Sequence, residues 1–567
     1  MTAQTAIEDE TSLHDWLLRP WFCALLLGLA GLLVHFASDG GQDAPWRMAL
    51  TAALVFGPLA ACFTLDADRW KTPLVFSGVA ALVMAGIAWR ATSAGERYAD
   101  EEYWIAAGIL AVTLALPLFQ AGFHRLRWNT SYKATHFHVW TDAISGAGAL
   151  AFFVLSWALL ALLAELFAVI KIDFLKELIV QAWFSWTFSC LAFGAALGVL
   201  RNQLKIIGTL QNVVLLVLSI LAVPLALAMV AFLLAVALSG LDVLWEATKS
   251  ATPLLLAIAV GCFVLTNAVV RDEDAQASQS LILRAAGFVL ALGILPLAVM
   301  AAISMGTRID QHGLSPERLW ALLAITVAVA FGVGYLAAVI RGRRAGWRDM
   351  VRQANLHLAV MTCAIAFILA LPIFNFGAIS ANNQLARLEA GKVSAEDFDY
   401  AALRWDFGDA GRKALARLAG SENAEIAKFA SDAQAMKERP FYGTTMRDQR
   451  EIAENARIDV SDEAAAAAVR EFIATGSYQC LEGCRAVEVG QVEAGPVIAV
   501  IAKNDVQFLV YEREKKAAVP YWQKDGKLVP TSTYEAREYD REGTVELRRY
   551  EGRQLYVDGE PVGQPFE

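Results

Sequence analysis

The sequence predicts a membrane all-α protein: a polytopic helical bundle of about eleven transmembrane helices, followed by a soluble α+β C-terminal domain. Three observations carry this prediction. The 567 residues are 57% hydrophobic, with a mean hydropathy of +0.44, which is too apolar for a soluble enzyme. Long apolar runs recur through the first two thirds of the chain, and charged residues become frequent only after Phe374.

Each predicted span is an apolar run of about 17 to 25 residues, which is long enough to cross a hydrocarbon core of about 30 Å as a helix. Tryptophan and tyrosine residues lie at or near several run ends, where their rings prefer the headgroup layer. The eleven runs are Leu17 to Phe36, Met48 to Leu65, Pro73 to Trp89, Tyr103 to Phe119, Ile144 to Ile170, Phe184 to Leu200, Val213 to Leu238, Leu254 to Val270, Ile282 to Met300, Trp320 to Ile340 and Leu356 to Phe374.

These runs divide the chain into membrane and aqueous segments. We expect a cytoplasmic leader over residues 1–16, four transmembrane helices over 17–119, a cytoplasmic interfacial loop over 120–143 and seven further transmembrane helices over 144–374. The remainder forms one periplasmic domain, helical over 375–475 and β-rich over 476–567. The expected strands include Val497 to Ala502, Val506 to Arg513, Thr544 to Tyr550 and Gln554 to Val557.

One basic loop sets the orientation. Residues 341–355 contain five arginines and a single acidic residue, Asp349, and loops of this kind are retained in the cytoplasm. One span follows this loop, so we expect the C-terminal domain in the periplasm of a bacterial inner membrane. Ten spans precede the loop, and an even number returns the chain to the same side, so we expect the N-terminus in the cytoplasm. The same arginines are candidate contacts for anionic lipid: Arg341, Arg343, Arg344, Arg348 and Arg352.

The composition of the C-terminal segment restricts its chemistry. Residues 381–567 contain 25 Lys and Arg against 33 Asp and Glu, a balance that argues against nucleic acid as a partner. All seven histidines precede this segment, which excludes a Ser-His-Asp triad or a histidine-ligated zinc site within it. No motif implies a cofactor or a catalytic residue. The lipid bilayer and a periplasmic protein are the expected partners.

Glu165 is the best intramembrane candidate for a functional residue. It lies in the apolar sequence LLALLAELFAVIK, and an ionisable side chain inside a membrane costs several kcal/mol unless it is paired. The alternative places Glu165 at the outer interface, because the run that begins at Ile144 is longer than a span requires. The sequence slightly favours this alternative.

Two further patterns have a functional and a structural interpretation. His136 and His138 form an H-x-H pair that would be a weak metal site if Asp142 joined them, but interfacial aromatic-like histidines are the favoured interpretation. Cys480 and Cys484 are the only cysteines outside the predicted spans. They would be half a zinc site or a disulfide, and the expected periplasmic location favours the disulfide.

Several stretches resemble a family of bacterial membrane proteins catalogued as domain of unknown function 4153. The stretches are HFHVWTDAISGAGALAFFVLSWALLALLAEL, LRNQLKIIGTLQNVVLLVLSILAVPLALAMVAFLLAV and RLEAGKVSAEDFDYAALRWDFG. The resemblance covers most of residues 15 to 420. It implies a polytopic inner-membrane protein and no activity, ligand or catalytic residues.

Three function classes follow from these observations. A permease-like or lipid- and envelope-handling protein is favoured, because eleven spans exceed what an anchor requires and Pro58, Pro224 and Pro296 lie inside spans, as in transporters with broken helices. The alternative is an envelope sensor or assembly scaffold whose periplasmic domain binds a partner. A membrane enzyme that acts on a lipid-linked substrate ranks last, because no cluster of acidic or histidine residues marks an interface.

Overall fold

The computed structural model describes residues 16–39, 44–99, 101–240, 251–278, 280–436, 439, 445–476, 480, 483–502, 506–524, 527–530, 553–557 and 560–566. The chain separates into two compact units, Met1–Phe376 and Gly377–Glu567, which we call the membrane unit and the C-terminal unit. The expected strand at Thr544 to Tyr550 lies outside the described residues.

Eleven helices among the described residues are long and apolar enough to cross a membrane, as the sequence predicts. They are α1 (Arg19–Ser38), α2 (Pro45–Thr64), α3 (Lys71–Ala94), α4 (Glu101–Gln120), α5 (Tyr132–Val169), α6 (Ala182–Asn202), α7 (Leu204–Ser239), α8 (Thr252–Val270), α9 (Leu281–His312), α10 (Pro316–Arg343) and α11 (Gly346–Ala370). The fold class is therefore confirmed.

The membrane helices pack in two groups. Within α1 to α6, α1 lies against α6 so closely that a Cβ on Gly198 would be 2.5 Å from Pro20 Cα, so only glycine fits there. In the second group, α9 packs against α7, α8 and α10 around a core that includes Leu290, Ile294 and Leu297. Helix α4 joins the groups, because Cys363 Sγ on α11 lies 3.4 Å from the carbonyl of Ala111.

Several helices extend well beyond the predicted spans, among them α5, α7, α9 and α11. Helix α5 begins at Tyr132 rather than at Ile144, so the second half of the expected interfacial loop belongs to a spanning helix. These added turns contain buried polar side chains with partners on neighbouring helices, which hydropathy alone does not reveal. Helices α10 and α11 are nearly continuous and break only at Arg343, which has a φ of 51°.

The C-terminal unit begins with helices. They are α12 (Phe376–Glu389), α13 (Tyr400–Trp405), α14 (Gly408–Ala419), α15 (Ala424–Ala435), α16 (Met446–Glu454) and α17 (Glu463–Gly476). Helices α12 to α15 enclose one apolar core, which includes Leu385, Phe398, Leu403 and Leu415. The amphipathic spacing in this segment therefore builds a helical layer with its own core.

The strands of this unit form a sheet in the order β1 (Ala456–Asp459), β2 (Cys484–Val492), β3 (Gly495–Ile501), β4 (Val506–Glu512), β5 (Ala517–Lys524) and β6 (Lys527–Pro530). β1 pairs with β2 in parallel through the crossover helix α17, and the later strands form an antiparallel meander. Val469 and Ile473 of α17 pack against Ile498 and Leu509 of the sheet. β7 (Arg553–Val557) and β8 (Glu560–Phe566) form a separate hairpin.

Candidate functional site

Buried polar side chains of the membrane unit gather near one membrane face. Because successive spans alternate in direction, the C-terminal ends of α2, α4, α6 and α8 share this face with the N-terminal ends of α1, α5 and α11. Two clusters lie there. The aspartate cluster consists of Gln120, Asp142, Ser145 and Arg201, and the asparagine cluster consists of Tyr132, Asn267, Tyr335 and Asn355.

Arg201 organises the aspartate cluster. Its Nη1 donates to Asp142 Oδ1 at 2.6 Å, and its Nη2 donates to the carbonyl of Phe63 at 2.6 Å. Gln120 Nε2 donates to the same carbonyl at 3.0 Å and to Asp142 Oδ1 at 3.3 Å. Carbonyls at a helix C-terminus lack partners within their own helix, so these donors satisfy the end of α2. The contacts tie α2, α4, α5 and α6 together.

Arg19 extends the cluster toward its edge. It donates to the carbonyl of Arg201 at 3.0 Å and pairs with Asp66 at 3.4 Å. The Asp66 side chain is 20% exposed, whereas that of Asp142 is 10% exposed. Asp66 and Asp142 are therefore two aspartates that each pair with an arginine, one at the edge of the cluster and one inside it.

The aspartate cluster contains buried polar atoms that have no hydrogen-bond partner in the described part of the chain. They are Asp142 Oδ2, Gln120 Oε1 and Ser145 Oγ, and His138 Nδ1 on the same helix is in the same condition. Ser145 is fully buried. A buried polar group without a partner costs about 1 to 3 kcal/mol, so this cluster is not explained by stability alone.

The asparagine cluster is a closed ring. Asn267 Nδ2 donates to Tyr335 Oη at 2.7 Å, and Tyr335 Oη donates to Asn355 Oδ1 at 2.7 Å. Asn355 Nδ2 donates to Asn267 Oδ1 at 2.6 Å and to Tyr132 Oη at 3.2 Å. Tyr132 Oη donates to Asn267 Oδ1 at 3.3 Å, and the second Asn267 N–H donates to the carbonyl of Phe263. Every donor hydrogen of these four side chains is used.

Arg352 anchors the helix end beside this ring. Its guanidinium donates to the carbonyl of Val270 at 2.7 Å and to that of Arg271 at 3.0 Å, both at the C-terminal end of α8. It also pairs with Asp274 at 3.0 Å and with Asp349. Arg352 is 5% exposed, so it satisfies a helix end inside the protein.

The first turns of α5 connect the two clusters. Each helical residue advances by about 100°, so Tyr132 and His136 lie on one face, and His138, Asp142 and Ser145 lie on a different face of the helix. The first face bonds to α8 and α11, and the second face bonds to α4 and α6. α5 therefore makes buried polar contacts with both helix groups.

Glu165 lies away from these clusters, near the end of α5. Its carboxylate pairs with Lys176 at 2.9 Å, and its side chain is 73% exposed. Lys176 belongs to the short helix Phe174–Val180, which has 7 residues and is too short to span a membrane. The assignment of Glu165 to the interface or to the membrane interior stays a prediction.

The histidine pair does not form a metal site in the described residues, where no group of three or more His, Cys, Asp or Glu side chains is placed to hold a metal. His136 packs with its ring centroid 5.7 Å from that of Tyr132, on a different face of α5 from Asp142. His138 lies on the Asp142 face but is not joined there by a second histidine. The i, i+2 spacing separates the two rings because the segment is helical, not extended.

The predicted lipid-facing arginines differ in their surroundings. Arg352 is buried, and Arg348 pairs with Asp274 at 3.2 Å, so these two side chains are engaged inside the protein. Arg341 and Arg343 are exposed. The sequence prediction treats residues 341–355 as a loop with all five arginines available to lipid. In the structure α11 already begins at Gly346, and its helical turn directs Arg348 and Arg352 toward the protein interior.

Cys480 and Cys484 lie at the end of the crossover between α17 and β2. Their Sγ atoms are 2.10 Å apart and their Cα atoms 4.8 Å apart, which is the geometry of a disulfide. Cys480 is fully buried in the core between α17 and the sheet. Gly483, which directly precedes Cys484, has a φ of +98°, a conformation that glycine adopts without strain.

Sequence reasoning missed most of the polar site. The sequence suggests Asp142 only as a third metal ligand, and no motif singles out Arg201. A signal was present, since both are charged residues next to the end of an apolar run. Their partnership was not visible, because Asp142 and Arg201 are 59 residues apart and only the packing of α5 against α6 brings them together.

Comparison with known proteins gives a family and no activity. No curated protein and no solved structure matches the chain. The sequence profile of the domain of unknown function DUF4153 matches residues 51–418, which is more than half of the chain and runs from α2 to α14. The chain therefore belongs to the DUF4153 family.

Proposed function

We propose that this multi-pass membrane protein is a permease-like carrier in which α5 links two helix groups and the aspartate cluster receives the transported species. The observation that carries the proposal is Asp142 Oδ2, a buried carboxylate oxygen without a partner in the described residues. Ionisable residues inside membrane proteins mark substrate or ion pathways because their burial is costly. The species is one that donates a hydrogen bond or a proton to a carboxylate.

A purely structural role explains only part of this geometry. The bond from Arg201 to Asp142 Oδ1 anchors α5 to α6 and needs no second function. It leaves Asp142 Oδ2, Gln120 Oε1 and Ser145 Oγ unexplained, and all three are able to accept a hydrogen bond. A scaffold would be more stable with apolar groups at these positions.

The test is complementation of a deletion strain whose phenotype is identified by growth profiling over many solutes. Asp142→Asn keeps the shape of the side chain and removes its charge, so it should reach the membrane at normal levels and fail to complement. The matched control is Asp66→Asn, which removes the charge of the aspartate that pairs with Arg19 at the exposed edge of the cluster. Full complementation by Asp142→Asn would refute the proposal, and so would equal failure of both variants.

We further propose that the membrane is the bacterial inner membrane, with the N-terminus in the cytoplasm and the C-terminal unit in the periplasm. The arginines of residues 341–355 and the single span after them support this orientation. The bond between Cys480 and Cys484 also supports it, because disulfides persist in oxidising compartments.

Reporter fusions and thiol chemistry test the orientation independently. An alkaline phosphatase fusion after residue 390 should be active, and a green fluorescent protein fusion at the same position should be dark. Thiol blocking in intact cells followed by mass spectrometry should leave Cys480 and Cys484 unmodified before reduction. The opposite pair of reporter results, or two alkylated cysteines, would contradict a periplasmic unit.

A further inference from the structure

A surface cavity of about 380 Å³ lies beside the connection between α4 and α5. Its lining residues are Phe123, His124, Arg127, Trp128 and Val360. The cavity is shallow and open to its surroundings rather than enclosed. Val360 belongs to α11, so one wall of the cavity is part of a membrane-spanning helix and the other is the connection at the membrane face.

Aromatic rings frame this cavity. Trp128 stacks on His357 of α11 with ring centroids 5.1 Å apart and meets Phe123 edge-on at 5.6 Å. His124 stacks on Phe119 at 4.8 Å. The Trp128 side chain remains 57% exposed, and rings of this kind at the ends of spans occupy the headgroup layer of a bilayer. The cavity is therefore placed at headgroup depth.

Arg127 supplies the positive charge of the cavity. Its side chain is exposed and forms no ion pair with a carboxylate in the described part of the chain. Partial desolvation, together with the neighbouring Arg125, lowers the pKa of His124 and so disfavours a second positive charge there. The cavity thus combines one guanidinium with aromatic and aliphatic surface.

We propose that this cavity binds the headgroup of an anionic phospholipid, with the phosphate at Arg127 and the first acyl carbons against Trp128 and Val360. A guanidinium matches phosphate through charge and paired hydrogen bonds. Free phosphate would satisfy Arg127 equally well but would leave the apolar wall on α11 without a contact, so the geometry favours the lipid. The site is separate from the aspartate cluster and does not depend on the proposed carrier function.

The test measures lipid binding to the purified full-length protein by native mass spectrometry, with phosphatidylglycerol and phosphatidylcholine as probes. The wild type should prefer phosphatidylglycerol, and Arg127→Gln should lower that affinity about fivefold, as expected for one basic residue at an anionic surface. Arg125→Gln is the matched control, because Arg125 is exposed two residues away and does not line the cavity. Thermal unfolding of each variant verifies that it remains folded.

Each alternative outcome decides the question. An equal loss in Arg127→Gln and Arg125→Gln would show general charge attraction and overturn the site. Displacement of phosphatidylglycerol by millimolar inorganic phosphate would identify a site for soluble phosphate instead of lipid. A wild type without a preference between the two lipids would also overturn the proposal.

Discussion

The two polar clusters meet different faces of α5 and differ in how completely their hydrogen-bonding groups are satisfied. In the asparagine cluster every donor hydrogen of the four side chains has an acceptor. In the aspartate cluster Asp142, Gln120 and Ser145 each retain a buried oxygen without a partner in the described residues. One helix thus presents a closed network to α8 and α11 and an open one to α4 and α6.

This difference in hydrogen-bond satisfaction suggests that the two clusters serve different purposes. A closed network in a membrane protein fixes which helices are neighbours and in what register, because each member would lose its partner if a helix slipped. An open network contributes less to stability than its atoms could, which is typical of sites that bind and release a ligand. The asparagine cluster therefore has the geometry of a fixed joint of α5, and the aspartate cluster is the part on which the proposed carrier function rests.

Breaking the closed network should have the largest effect on stability. Asn355→Ala removes one acceptor and two donors and leaves Tyr335, Asn267 and Tyr132 each short of a bond. We expect a loss of about 2 kcal/mol in the free energy of unfolding, since hydrogen bonds between membrane helices average about 0.6 kcal/mol and stranded partners add to this.

Equilibrium unfolding of the full-length protein in mixed micelles measures this loss. Gln353→Ala is the control, because Gln353 is exposed on the same helix two residues earlier. Equal stability of the Asn355 and Gln353 variants would mean that the ring does not hold the helices together, and the contrast between the clusters would disappear.

The membrane helices were predictable from sequence because hydropathy over about 20 residues is a local property. The clusters were not, because their members look ordinary in sequence. In the sequence Asn267 is one polar residue near the end of the run Leu254 to Val270, and Tyr335 is one tyrosine within the run Trp320 to Ile340. Asn267 and Asn355 are 88 residues apart, and their bond exists only because α8 and α11 are neighbours.

The same limit applies to the C-terminal unit. The crossover helix α17 and the strands β3 and β4 follow from spacing and composition, and the structure has them close to the expected positions. Strand β1 (Ala456–Asp459) was not expected, because four residues provide too little pattern to identify a strand. β1 forms because its backbone pairs in parallel with the edge of β2, to which α17 connects it.

Asp459 on β1 combines features of the two clusters. Both of its carboxylate oxygens accept hydrogen bonds, as in the closed network, but the side chain is in contact with water. Arg457 and Arg485 are paired in register across β1 and β2, and Asp459 accepts from Arg457 at 3.2 Å and from Arg485 at 2.6 Å. The bond from Arg485 is the main reason that the pKa of Asp459 is lowered. A lowered folded-state pKa means that the ionised form stabilises the fold.

This stabilisation should be complete above the ordinary aspartate pKa of about 3.9 and should be lost as the pH falls through the lowered folded-state value. Asp459→Asn should therefore show a shallower decline in unfolding temperature below about pH 4 than the wild type. The effect should be small, because exposed ion pairs are screened by water and salt. Parallel declines in the two proteins would remove Asp459 as a source of acid sensitivity.

Ser145→Ala should have the smallest effect on stability and is the sharpest test of the comparison. Ser145 is fully buried, and its Oγ has no partner in the described residues, so its removal breaks no recorded hydrogen bond. Alanine fills nearly the same space and has a higher helix propensity, so the free energy of unfolding should stay within about 0.5 kcal/mol of the wild type or rise. Complementation, in contrast, should weaken if Ser145 Oγ contacts the species that Asp142 receives. A loss comparable to that of Asn355→Ala would show that Ser145 belongs to a closed network, and the aspartate cluster would then be a second structural joint.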